Sequence, residues 1–104
     1  MNHEDTKLPV AVLGATGVVG QRLVAALVGH PWFELRELAA SERRFGAAYG
    51  QTVDWKLPEP LPDKAAALPM GVPRPEEIQA PLVFSALDAS VAGEVEDAFA
   101  DAGR

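Results

Sequence analysis

Val10-Ala11-Val12-Leu13-Gly14-Ala15-Thr16-Gly17-Val18-Val19-Gly20 is the stretch on which the reading of this chain turns. The unbroken apolar run Val10 to Leu13 reads as a parallel strand buried on both faces, and it stops at Gly14, where a helical period takes over. A strand, a tight turn and a helix follow one another. In such a turn Gly14 permits the bend, Gly17 lets the backbone approach a ligand, and Gly20 lets the helix pack closely on the strand. The helix start offers unpaired N–H groups and a positive dipole end to a pyrophosphate. The spacing Gly-x-x-Gly-x-x-Gly is a variant of the dinucleotide fingerprint. Glycine-rich turns are common, so a purely structural turn is the alternative, but the strand before and the helix after favour nucleotide binding.

At 104 residues the chain reads as one domain, short for a nucleotide-dependent enzyme, which suggests a fragment. It has no cysteine, which excludes a disulfide framework, a thiolate metal site and a cysteine nucleophile within these residues, and fits a reducing cytoplasm. The formal charge of −6 argues against a nucleic-acid partner, whose phosphates demand clustered Lys and Arg. No apolar run reaches membrane-spanning length. Met1 to Lys7 is polar and charged, and reads as a lead-in to the first strand without a secretion signal.

The helix from Val18 to Val28 places Val19, Leu23 and Leu27 with Gly20, Val24 and Val28 on its buried side, and Gln21, Arg22 and Ala25 on the other. Gly29 and Pro31 end it. His30 sits in that stop signal without a visible catalytic partner, and Trp32 and Phe33 read as core anchors. Phe33 to Ala40 is the second strand, with Arg36 and Glu37 suited to an edge or a strand end. Right-handed crossover makes the two strands parallel, so the loop Ser41-Glu42-Arg43-Arg44-Phe45-Gly46 lies on the same carboxyl edge as the glycine turn. A cofactor lacking a 2′-phosphate is usually held there by an acidic residue on its ribose. Here stand Ala39, Ala40 and Ser41, followed by two guanidinium groups suited to a phosphate, which favours NADP over NAD. The alternative is a solvated turn in which Glu42 pairs with an arginine.

Beyond Gly50, Thr52 to Leu57 and Leu68 to Val72 are candidate strands. Six prolines between Pro58 and Pro75 break the chain between and after them, giving an excursion with a β-rich edge. Pro75-Glu76-Glu77-Ile78 reads as one helical turn. Tyr49 and Trp55 are read as packing residues, with cofactor contact as the alternative. Leu82 to Leu87 is a further buried strand, expected beside the first and opposite the second, so that Ser85, Ala86 and Leu87 either line a cofactor groove or simply end a strand. Asp88 or Ser90 caps a last helix striped by Val91, Val95, Ala98, Phe99 and Ala102. Its carboxylates Glu94, Glu96, Asp97 and Asp101 read as a solvated face and not a metal cluster.

Four blocks then appear in order: Leu13-Gly-Ala-Thr-Gly-Val-Val-Gly-Gln-Arg-Leu23, His30-Pro-Trp-Phe-Glu-Leu35, Ala39-Ala-Ser-Glu-Arg43 and Val83-Phe-Ser-Ala-Leu87. Together they closely resemble the cofactor part of aspartate-semialdehyde dehydrogenase of the archaeal and fungal type. The resemblance implies NADPH-dependent reduction of β-aspartyl phosphate to L-aspartate 4-semialdehyde, toward lysine, threonine and methionine, through a cysteine nucleophile, a histidine acid/base and a substrate-holding arginine. None of that machinery is assigned to this chain, so no catalytic residue is named and the 104 residues alone are expected to be inactive. It further implies that Thr16, Gly17, Val18 and Val19 meet the diphosphate, that Ser41, Arg43 and Arg44 meet the 2′-phosphate, and that Ser85 and Leu87 flank the ribose and nicotinamide. Arg44 stands where the family often has a small residue, with the family's usual lysine shortly beyond missing, and Asp88 where it tends to have proline.

The expected fold class is α/β, a partial Rossmann-like, doubly wound and mainly parallel sheet. Residues 1–104 are expected to form an incomplete N-terminal NAD(P)-binding domain, with the catalytic and dimerisation domain absent. NADP is the expected cofactor, with no metal. The missing catalytic half and, for the full-length family, a homo-oligomer are the expected partners. Alternatives are a malonyl-CoA reductase-like cofactor domain and a non-catalytic, stand-alone or vestigial NADP-binding domain. A short-chain dehydrogenase is excluded within this chain because it needs a lysine four residues after its tyrosine, and Val53 stands at that distance from Tyr49.

Overall fold

A run buried on both faces needs strands on either side and cover above and below, and the chain provides both. In a computed structural model, which describes residues 7–40, 46–73 and 77–87 together with Gly93, Asp97 and Ala100 singly, β1 (Leu8–Leu13) lies inside a four-stranded sheet. The order is β3-β2-β1-β4, with β2 at Phe33–Ala39, β3 at Met70–Gly71 and β4 at Leu82–Ser85, and every pairing is parallel. Val10, Ala11, Val12 and Leu13 are at most 1% exposed. The expected parallel βαβ unit is therefore present, and β4 lies beside β1 on the side away from β2, putting the chain reversal at the carboxyl end of β1.

Alternation along β1 divides the core. Val10 and Val12 face a cluster with Val24, Leu27, Leu38, Tyr49, Ala65 and Met70, whereas Ala11 and Leu13 meet Ala39, Ile78 and Ala80 on the other side. In β2 the alternation breaks. Phe33 and Leu35 share a face with Leu38 and Ala40, which a period of two forbids unless one residue is extra. Register supplies it: Val10 pairs with Leu35 and Ala11 with Glu37, so Arg36 is the bulged residue. Glu37 is thus not at an edge. Its carboxylate accepts from the N–H groups of Gln79, at 3.0 and 3.1 Å, and Ala80, at 2.7 Å, anchoring the approach to β4.

Helix α1 (Val18–Leu27) ends as its sequence demands, with Val28 as C-cap and Gly29 at φ +78°. Its rotation differs from the expected one. Gly20, Gln21, Val24 and Leu27 are buried, while Val19 is 63% exposed. The cause is steric: Gly20 rests against the Gly14 carbonyl, and this point of closest approach turns residue 21 toward the protein and residue 19 away. Trp32 is also a correction, lying 73% exposed past the end of α1, while Phe33 packs on the core and meets Phe84 edge to face.

Thr52 to Leu57 is not a strand. Tyr49–Thr52 forms the short helix α2, and the residues after it run without a ladder because Asp54 and Lys56 give backbone groups to Gln21 instead. Helix α3 (Asp63–Ala66) follows Pro62, and of Leu68 to Val72 only Met70–Gly71 joins the sheet, against Leu38 and Ala39 of β2, while Pro69 makes an isolated antiparallel bridge with Ala48. Of the expected turn at Pro75-Glu76-Glu77-Ile78, Pro75 and Glu76 lie outside the described residues, as does almost all of the final helix.

Candidate dinucleotide site

The glycine turn is held from several directions. Ala39, the last residue of β2, accepts from both the Gly14 N–H at 2.8 Å and the Ala15 N–H at 3.1 Å. Gly14 itself has φ +73°, the left-handed region, and a Cβ there would stand 2.7 Å from the Ala86 carbonyl oxygen. Ala86 in turn donates to the Leu13 carbonyl at 2.9 Å, so the backbone of Ser85, Ala86 and Leu87 passes directly beside the turn. Two separate sequence blocks, Gly14 to Gly20 and Ser85 to Leu87, meet at the carboxyl edge of adjacent strands.

What the turn leaves open is a set of donors. The N–H groups of Thr16, Val18 and Val19 have no backbone partner among the described residues, as the first turn of a helix requires. Gly17 is the N-cap, with extended backbone, and its N–H makes only a 3.4 Å contact with the Gly14 carbonyl. Val18 and Val19 flank these donors as half-exposed apolar side chains. Among the described residues, a Cβ on Gly17 would meet nothing closer than 3.9 Å, so none of them explains a glycine there. Backbone donors, a positive helix end and an uncrowded glycine together suit a diphosphate, with the apolar valines beside it.

Behind the turn stand two residues to which the glycine spacing does not point. Tyr49, wholly buried, donates its hydroxyl to the Ala15 carbonyl at 2.7 Å and packs edge to face on Trp55. Gln21, 1% exposed, donates to the carbonyls of Thr16 at 3.0 Å and Asp54 at 2.9 Å and accepts from the Lys56 N–H at 2.7 Å. Two carbonyls and one N–H around one amide leave a single assignment of its oxygen and nitrogen. The signal that could have found Gln21 is its place immediately after the glycine that touches the turn. His30 has a local role, accepting from the Trp32 N–H at 3.0 Å and lying against Trp32 and Phe33.

Burial pushes the Tyr49 phenol up to about 12 from 10.0. The folded state therefore holds this proton where the unfolded chain loses it, and stability contributed by the neutral phenol is complete below pH 10 and is lost as pH rises toward 12. Because Tyr49 is the sole tyrosine, the ultraviolet phenolate band reports one group. It is expected to titrate near 12, together with unfolding. A midpoint at the free-tyrosine value in the folded protein would refute the buried hydrogen bond.

Ser41, Arg43 and Arg44, expected at a 2′-phosphate, lie outside the described residues, as does Asp88. Ala40, immediately before them, is buried at the carboxyl end of β2. Among the described residues no cluster of three or more His, Asp or Glu could hold a metal, and no helix is long and apolar enough to cross a membrane.

The parallel sheet reversing at the carboxyl end of β1, with a glycine turn opening a helix there, defines a Rossmann-like nucleotide-binding domain. The model of the semialdehyde dehydrogenase NAD binding domain matches residues 9–104, and the chain belongs to that family. An aspartate-semialdehyde dehydrogenase of Archaeoglobus fulgidus is 51% identical over 94 residues, 90% of this chain and 27% of the relative. One from Cryptococcus neoformans is 46% identical over 96 residues, 89% of this chain and 26% of the relative. The crystal structure of the Candida albicans aspartate-semialdehyde dehydrogenase with NADP superposes with a TM-score of 0.88 at 41% identity, covering 93% of this chain and 28% of that one. The chain thus spans about a quarter of the length of the relatives it matches.

Proposed function

We propose that this chain is the NADP-holding part of an aspartate-semialdehyde dehydrogenase that reduces β-aspartyl phosphate to L-aspartate 4-semialdehyde, on the cytoplasmic route to lysine, threonine and methionine. The observation that carries the reading is the row of turn donors at Thr16, Val18 and Val19, open among the described residues, beside a Gly17 that no described residue crowds. The crystallised relative with NADP, and relatives named for the aspartyl rather than the malonyl substrate, support it. In this reading Thr16 to Val19 hold the diphosphate, with Gly14 and Gly20 shaping the turn. Ser41, Arg43 and Arg44 hold the 2′-phosphate, and Ser85, Ala86 and Leu87 border the ribose and nicotinamide. When bound, the dinucleotide supplies the hydride. This chain binds and orients it, and the acyl chemistry belongs to residues elsewhere, because no cysteine is present to form a thioester. The 104 residues alone are accordingly inactive.

Titration of the chain with NADPH and NADH tests the assignment. NADPH is expected to bind at least tenfold more tightly. Arg43→Ala is expected to remove about tenfold of that preference, the loss of a charge-assisted phosphate contact, with NADH affinity unchanged. Equal affinities for the two dinucleotides in the parent chain would sink the 2′-phosphate assignment.

A further inference from the structure

Both carbonyls that the turn directs inward are met by a buried side chain. The Tyr49 hydroxyl takes the Ala15 oxygen, and Gln21 Nε2 takes the Thr16 oxygen. A trans peptide is planar, so the C=O and N–H of one unit point in opposite directions. The Ala15 carbonyl shares its unit with the Thr16 N–H, and the Thr16 carbonyl shares its unit with the Gly17 N–H. Holding the Ala15 oxygen inward therefore holds the Thr16 N–H outward, and holding the Thr16 oxygen directs the Gly17 N–H onto the Gly14 carbonyl, 3.4 Å away. If the first unit rotated, a carbonyl oxygen would replace a donor on the ligand side and repel an anion, and if the second rotated, the turn would lose its closing contact between Gly17 and Gly14. We propose that Tyr49 and Gln21 are positioning residues, a brace behind the glycine turn: Tyr49 keeps the Thr16 N–H presented to the diphosphate of a bound dinucleotide, and Gln21 fixes the next peptide unit, whose Gly17 N–H closes the turn on the Gly14 carbonyl.

The brace is built from outside the strand-turn-helix unit. Tyr49 lies 34 residues from Ala15, and the Gln21 amide also grips Asp54 and Lys56, so the segment from α2 to Lys56 is fastened to the back of the turn at two adjacent carbonyls. Neither side chain reaches the ligand side, since both are buried and their polar atoms are already bonded. Their effect on binding passes through the orientation of two peptide units. This requires that the turn be the dinucleotide site, the reading proposed above.

Tyr49→Phe removes one hydroxyl and keeps the ring, and NADPH and NADH affinities of parent and variant are compared well below the melting transition of both. Because the brace serves the diphosphate, which the two dinucleotides share, both affinities are expected to fall by the same factor, about fivefold, leaving their ratio intact. Arg43→Ala, in contrast, moves the ratio. Unchanged affinities in Tyr49→Phe alongside a lowered melting temperature overturn the brace alone, because the hydroxyl then serves only the fold. A parent chain that binds neither dinucleotide overturns the dinucleotide reading and the brace with it. Should the variant not fold, fluorotyrosine incorporated at the single tyrosine of the parent chain gives one fluorine resonance. NADPH is expected to shift it although the ring does not touch ligand, and a resonance that stays in place through saturation overturns the proposal.

Discussion

Gly20→Ala is expected to lower the unfolding free energy by about 2–3 kcal/mol, despite placing the best helix former inside a helix. The added Cβ would overlap the Gly14 carbonyl oxygen and stand 2.8 Å from the Ala15 Cα and 2.9 Å from the Gly14 carbonyl carbon. All three are backbone atoms, so no rotamer change relieves them. Nor can the turn retreat, since Ala39 holds it from the β2 side and Tyr49 holds the Ala15 carbonyl from behind. Relief requires moving α1 away from β1, which opens the packing of Val24 and Leu27 on the strand. Urea unfolding measures it. A midpoint equal to or above that of the parent chain, as helix propensity alone would give, would show that α1 does not rest on the turn at Gly20.

Gln21→Leu, which keeps the volume and removes the polarity, is expected to cost about 3 kcal/mol. It leaves the carbonyls of Thr16 and Asp54 and the Lys56 N–H without their partner at once. A buried polar group stripped of its partner costs about 1–3 kcal/mol, much more than the net worth of the bond it made. Some of this is recovered by water, because Asp54 and Lys56 are exposed residues. Amide hydrogen exchange locates the effect: the Lys56 N–H should exchange faster in the variant even under conditions where the core remains closed. Protection of Lys56 that survives the substitution would place its donor elsewhere and remove Gln21 from the account.

Much of the frame was legible because it is written in local patterns. An apolar run ending at Gly14 specified a doubly buried strand, and Val10 to Leu13 are that strand. Gly29 and Pro31 stop the helix where the chain stops it, and the strand at Leu82 falls beside β1 as a right-handed, doubly wound order requires. The candidate site was half legible. Glycine spacing marks the turn, and the strand ending at Ser85 marks its neighbour, because both follow from where parallel strands end. The brace was not. By sequence Tyr49 reads as packing, and the hydrophobic stripe puts Gln21 on the outer face of its helix.

The same division holds between the sequence by itself and the tertiary structure. Periodicity, glycine spacing and stop signals act over a few residues, and they determined the strand-turn-helix unit, the parallel class of the sheet and the edge at which the turn opens. Everything decided by an encounter between distant residues waited for the folded chain. The helix rotation comes from Gly20 meeting Gly14, not from the hydrophobic stripe. The bulge at Arg36 comes from fitting Phe33, Leu35, Leu38 and Ala40 to one face against a partner strand. Thr52 to Leu57 has the composition of a strand, but no ladder is open to it once Gln21 has taken Asp54 and Lys56. A buried amide and a buried phenol must find partners wherever the fold supplies them, and here it supplies the carbonyls of the glycine turn.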